Sequence, residues 1–176
     1  MSTNVMRLTA LAPLLLGAVA CDVQLLPETA MYDGSGTPRL AVVVGVDAMP
    51  PGDVAAVDFA LVDVLVHRER DDAWLWVAGV DARVELSLAG TSPQAAVPLH
   101  ADYYDRMLVV IDAPRVAEGG AWHTAALDHD EIEIAIDVDL DADVEIELRF
   151  DVAASLSGGR GAWRFSPTVS ARVVGE

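Results

Sequence analysis

Asp137, Asp139 and Asp141 stand at every second position inside DHDEIEIAIDVDLDADVEIELRFDV, the segment from Asp128 to Val152. A D-x-D-x-D run of carboxylates is how an EF-hand calcium loop begins, because hard cations take oxygen ligands at alternating positions. The remainder of that loop is not there. Its sixth position is Ala142, where the sharp turn needs glycine, and its twelfth is Leu148, where a bidentate glutamate belongs. From Glu131 to Val152 every even position is apolar, and every odd one but Ala135 is charged. That is the period of a strand with one wet face. Twenty-two residues of one parity exceed an ordinary strand, so a turn is expected near Leu140 to Ala142. Folded as a hairpin about Asp141, the segment would set Asp139 opposite Asp143 and Asp137 opposite Glu145, with Arg149 opposite Glu133. Like charges facing each other repel. Asp137, Asp139, Asp143 and Glu145 therefore read as a solvated face that associates weakly with cations, and no dedicated metal or cofactor is expected.

Other reactive residue types give no catalytic constellation. The histidines are His67, His100, His123 and His129, with no H-E-x-x-H among them. WHTAALDHDE, holding His123 and His129, could bind metal if it folded back, but reads as a polar loop between strands. No G-x-S-x-G elbow surrounds a serine. The glycine run in SLSGGRGAW lacks the P-loop lysine and precedes a strand pattern, so it reads as a hairpin turn. Trp74 and Trp76 share one strand face and could stack sugars, although alternate tryptophans in a sandwich are expected in the core. One of Tyr103 and Tyr104 is expected to hydrogen-bond across a strand corner.

The elements that would position these residues are strands. Short alternating or apolar runs begin at Arg39 and are separated by turn signals: RLAVVVGVD, VAAVDFALVDVLVH, AWLWVAGV, ARVELSLAG, RMLVVIDAP, the acidic segment and GAWRFSPTVSARVV. Val54 to Val66 fits a strand buried on both faces, and Leu148 and Phe150 occupy the apolar parity of a late strand. Together these predict an all-β, single-domain antiparallel β-sandwich, immunoglobulin-like or transthyretin-like, over residues 39–176.

Upstream, Arg7 precedes the uncharged run LTALAPLLLGAVA from Leu8 to Ala20, which has the length of a signal-peptide apolar region. GAVAC leads directly into Cys21, the only cysteine. This resembles a bacterial lipobox, with Ala18 where leucine is commonest, and implies a diacylglycerol on the Cys21 thiol. Residues 1–20 then read as the lipoprotein signal peptide and 21–38, rich in turn residues, as a lipidated tether. Asp22 resembles an inner-membrane retention signal. The expected localisation is the cell envelope, anchored to the membrane through Cys21, on the periplasmic or surface face.

The chain's formal charge is −17, and removing Arg7 leaves −18 on the mature part, whose basic residues are all arginine. Such a surface repels phosphate backbones and anionic lipid heads, which argues against nucleic-acid partners.

The order GVDAMPPGDVAAVDFALVDVLVH, a tryptophan-bearing strand at Trp74 and Trp76, YYDRMLVVI, VEIELRFDVAASL and WRFSPTVSARV resembles the DUF4382 family of exported and lipid-anchored proteins. The likeness covers Arg39 to Val174. Where the family turn reads Thr-Asp-Ala-Pro, this chain has Val46-Asp47-Ala48-Met49-Pro50, and Ala154 replaces the usual lysine before Ser155. The resemblance implies an envelope β-sandwich and carries no catalytic residue or cofactor. The expected function is a non-catalytic binding or structural module for a protein or glycan. The alternatives are an envelope-polymer hydrolase with a site assembled from separate loops and a calcium-binding adhesion-type module.

Overall fold

The computed structural model describes residues 36–50, 52–78, 82–87 and 92–174. The signal-like run, Cys21 and the assigned tether up to Ser35 lie outside the described residues. Among the described residues, the strands are β1 (Arg39–Ala48), β2 (Val54–Arg68), β3 (Ala73–Ala78), β4 (Ala82–Leu86), β5 (Ser92–Pro98), β6 (Tyr103–Glu118), β7 (Ala121–Leu127), β8 (Glu131–Asp139), β9 (Val144–Asp151), β10 (Leu156–Gly159), β11 (Ala162–Phe165) and β12 (Val169–Val174). One helical turn, Val152–Ser155, and one 3-10 turn, Glu69–Asp71, join them. Two sheets pack face to face as the sandwich that the alternation predicts.

The smaller sheet runs β12-β9-β1-β5, and the larger runs β10-β11-β7-β6-β2-β3. β2 and β6, with 15 and 16 residues, each extend about 50 Å, long enough for two short strands to share one edge. β4 and β3 divide the free edge of β2, and β7 and β8 divide that of β6. Pairing is antiparallel except between β1 and β9 and between β7 and β11. β5, which carries Pro93 and Pro98, lies at a sheet edge, where a missing N–H breaks no ladder.

The core is sealed by apolar faces from both sheets. Phe59 of the larger sheet meets Phe150 of the smaller at a centroid distance of 5.1 Å, and Phe165 lies 6.3 Å from Phe59. All three are fully buried, as are Leu148 and Tyr104. The burial expected of Leu148 and Phe150 is thus observed. The Tyr104 hydroxyl donates to the His100 carbonyl at 3.0 Å, the corner bond expected of this tyrosine pair.

The acidic segment does turn around the expected Leu140 to Ala142, between the end of β8 at Asp139 and the start of β9 at Val144, but it is not a hairpin. β8 pairs with β6 in the larger sheet, while β9 pairs with β1 and β12 in the smaller. The chain arches across the sandwich, so Ile132, Ile134, Val138 and Leu140 are buried in one core cluster with Ile146, Leu148 and Phe150. The charged positions of the two arms consequently belong to strands of different sheets, and those nearest the turn come together around one hollow. Asp139 is not opposite Asp143, nor Asp137 opposite Glu145. Arg149 does not face Glu133; it pairs with Asp47 and Glu147, while Glu133 pairs with Arg106 at 3.3 Å.

The segment WHTAALDHDE is likewise not a loop, because its first part is strand β7 followed by a bend. The run SGGRG is the expected turn: Arg160 and Gly161 link β10 to β11 with φ of 53° and 80°, the signs of a type I′ turn that matches strand twist. At Gly158 a Cβ would lie 2.2 Å from the Ala162 carbonyl oxygen, so only glycine fits.

Candidate functional site

The core parity of β2 belongs to Val57, Phe59 and Leu61 and then, after an irregularity in its pairing with β6, to Val64 and Val66. The intervening residues therefore point away from the core, and they are unusually polar for so apolar a strand. Asp58 is buried on this outer face by two arginines. Arg115 faces it directly across β6; its Nε donates at 2.9 Å and its terminal nitrogen closes a bidentate pair. Arg83 of β4 donates to the same carboxylate at 3.0 and 2.5 Å and to the Ala113 carbonyl at 2.9 Å. Burial alone raises the Asp58 pKa, but the hydrogen bonds and charges of Arg115 and Arg83 outweigh it and hold the carboxyl below its usual range.

A second polar knot sits near the far end of the same face. Buried His67 has Nδ1 at 2.6 Å from Asp105 and Nε2 at 2.8 Å from Asp72, and an Arg106 guanidinium nitrogen lies 3.0 and 2.9 Å from the two ring nitrogens. The hydrogen bond with His67 lowers the pKa of Asp105. With both nitrogens engaged, His67 has none left to take a proton from a substrate, and its role is to tie β2 to β6.

The tryptophans depart from expectation. Trp74 and Trp76 do share one face of AWLWVA, but Val77 is buried and Leu75 packs against the core, which turns the two tryptophans outward. Trp76 is 52% exposed and donates from Nε1 to Asp63 at 3.0 Å. Trp74 packs beside His67 and under Arg106. Trp122 on β7 is 44% exposed, with the Arg115 guanidinium 5.1 Å from its ring centroid. β3 lies at a sheet edge, and Trp122 stands on the outer face of β7, level with Ala117 of β6.

Elsewhere, a second carboxylate is buried, on the outer face of the smaller sheet. Glu147 accepts from Arg149 at 2.9 Å and from Arg172 at 2.6 Å. At the turn end of β6, Glu118 accepts from the backbone N–H groups of Arg160 and Gly161 and from Trp163 Nε1, at 3.3, 3.2 and 3.1 Å. Burial works against ionisation there, but these donors keep the Glu118 carboxyl below its usual range.

The acidic residues singled out in the sequence divide between the two sheets. Asp137, Asp139, Asp141 and Asp143 line an open hollow of about 660 Å3 floored by Val138, Val144 and Val173. Glu145 lies beyond it on the outer face of β9. Asp143 accepts from the Arg39 N–H at 2.9 Å, and Asp137, hydrogen-bonded to Tyr103, raises the pKa of that phenol. Among the described residues no group of three or more His, Cys, Asp or Glu is placed to hold a metal ion. His123 lies on β7, and His129 lies past its end, after the bend at Asp128. Thermal melts with and without millimolar calcium at matched ionic strength should nearly coincide, while monovalent salt should raise the midpoint by screening. A calcium-specific rise of several degrees that disappears in Asp139→Asn would show a dedicated site instead.

Sequence reasoning passed over Asp58, His67 and Glu147. Their signal was present as charged or polar residues inside otherwise apolar strands, which only partners on neighbouring strands can accommodate. No helix among the described residues is long and apolar enough to cross a membrane. No protein-family model, curated protein or solved structure matches this chain.

Proposed function

We propose that the chain is an exported, lipid-anchored protein of the cell envelope whose β-sandwich is a non-catalytic binding module. The observation that carries this reading is GAVAC at the end of an uncharged apolar run, with Cys21 as the only thiol. An exported chain with one cysteine has no intramolecular disulfide to form, and acylation gives that thiol a use. One acyl group alone binds a membrane only reversibly, whereas the two chains of a diacylglycerol hold firmly. Membership of the DUF4382 family belongs to the same proposal and rests on the strand-and-turn patterns from Arg39 to Val174. The binding role is favoured over hydrolysis because the polar side chains on the large outer face bind one another in closed pairs: Asp58 is shared by two arginines, and His67 lies between two carboxylates.

Metabolic labelling with a fatty-acid analogue should tag the protein. Cys21→Ser should lose that tag and either remain uncut or leave the membrane fraction. Equal labelling of wild type and variant would remove the lipoprotein reading.

A further inference from the structure

We propose that the outer face of the larger sheet binds an uncharged polysaccharide chain, with Trp76 and Trp122 as its two stacking platforms. This deepens the reading of the sandwich as a binding module and rests on it. Both indoles are about half exposed and both are held in place. Asp63 fixes Trp76 through its ring N–H, and Trp122 lies against Arg115, which is itself clamped on buried Asp58. An indole held this way offers a flat apolar surface with little ordering left to lose on binding. The C–H-lined face of a pyranose packs on such a surface, while its hydroxyls seek donors and acceptors at the rim.

The sheet register sets the length of the ligand. Trp76 is level with Leu65 of β2, and Trp122 is level with Ala117 of β6, which pairs with Ala56 of β2. Nine residues of strand separate the two levels, about 30 Å. A single sugar cannot reach both indoles, but an extended chain can. The floor between them is low and partly exposed, formed in part by Ala60, Leu65, Leu108 and Val110. Asp63, Arg83 and Arg106 stand on the same face, each already held by a protein partner.

Charge selects among polymers. The arginines on this face are already engaged with carboxylates, Arg83 and Arg115 with Asp58, and Arg106 with Asp105 and Glu133. The whole chain is strongly acidic, so uronic-acid, sulfated and phosphate polymers are repelled, whereas a neutral chain approaches without that penalty.

The test uses the full chain purified in detergent, applied to an array of immobilised uncharged and uronic-acid oligosaccharides of graded length. Binding should favour uncharged chains, strengthen with length and be absent for monosaccharides. Trp76→Ala and Trp122→Ala should each weaken it by about tenfold or more, with melting curves like wild type because both rings lie outside the core. Trp163→Phe, a change at a tryptophan assigned no platform, should leave it intact. Retention of no uncharged chain, a preference for uronic-acid chains, or binding indifferent to both platform substitutions would overturn the proposal. Capture of an envelope protein through these tryptophans, without glycan binding, would overturn it as well. Lipid labelling of Cys21 reads the anchoring proposal separately, so either can fail alone.

Discussion

Phe150→Ala will lower the stability of the sandwich by about 3–5 kcal/mol, enough to shift its denaturation midpoint far outside measurement error. Phe150 is fully buried and sits on β9, where its ring meets Phe59 of β2 at 5.1 Å; Phe59 in turn lies 6.3 Å from Phe165 of β11. The contact joins the two sheets, so its loss opens a cavity between layers that the long, heavily paired strands β2 and β6 cannot move to fill. Equilibrium urea unfolding of wild type, Phe150→Ala, Phe59→Ala and the double variant measures both the loss and the coupling between the rings. The double variant should cost clearly less than the sum of the singles. A near-neutral Phe150→Ala would mean that the two sheets do not meet at this ring.

The second large effect is electrostatic. Asp58→Ala should destabilise the protein by about 1–3 kcal/mol at neutral pH, because it leaves Arg83 and Arg115 crowded together without the charge that holds them. The side chains of these arginines are 37% and 40% exposed, so water takes up part of the loss and the cost stays below that of a fully buried pair. The pH dependence has a definite sign. The folded-state pKa of Asp58 is depressed, so its contribution is complete above the unfolded carboxylate value of about 3.9 and is lost as pH falls through the lower folded value. The gap between wild type and Asp58→Ala should therefore be constant through neutral pH and narrow in acid. A gap that persists unchanged at pH 2 would assign the effect to packing, not to the charge.

Phe150 was legible as a core residue because it lies on the apolar parity of VEIELRFDV, and hydrophobicity is a property of the residue itself. Asp58 was not, because its burial depends on Arg83, 25 residues away, and Arg115, 57 residues away, reaching it from two neighbouring strands. The same division separates the two readings of the tryptophans. The alternation in AWLWVA was visible, yet which parity faces inward depends on the sheet that β3 joins.

The sequence by itself determined that this is a β protein, where most of its strands lie, that Leu148 and Phe150 are inside, and that the chain turns near Leu140 to Ala142. Each of these follows from a period of two in apolar residues and from local turn chemistry, which neighbouring residues carry without reference to the rest of the chain. Only the tertiary structure decided that β8 and β9 belong to different sheets. A hairpin and an arch require the same alternation, since each arm must turn its apolar parity toward one core. They differ in strand partners, β6 for β8 and β1 with β12 for β9, which lie far apart in sequence and leave no mark in the local pattern. That choice of partners divided the two arms between the sheets and left Asp137, Asp139, Asp141 and Asp143 around one hollow at the arch, while the pairing of β3 with β2 and of β7 with β6 turned Trp76 and Trp122 outward.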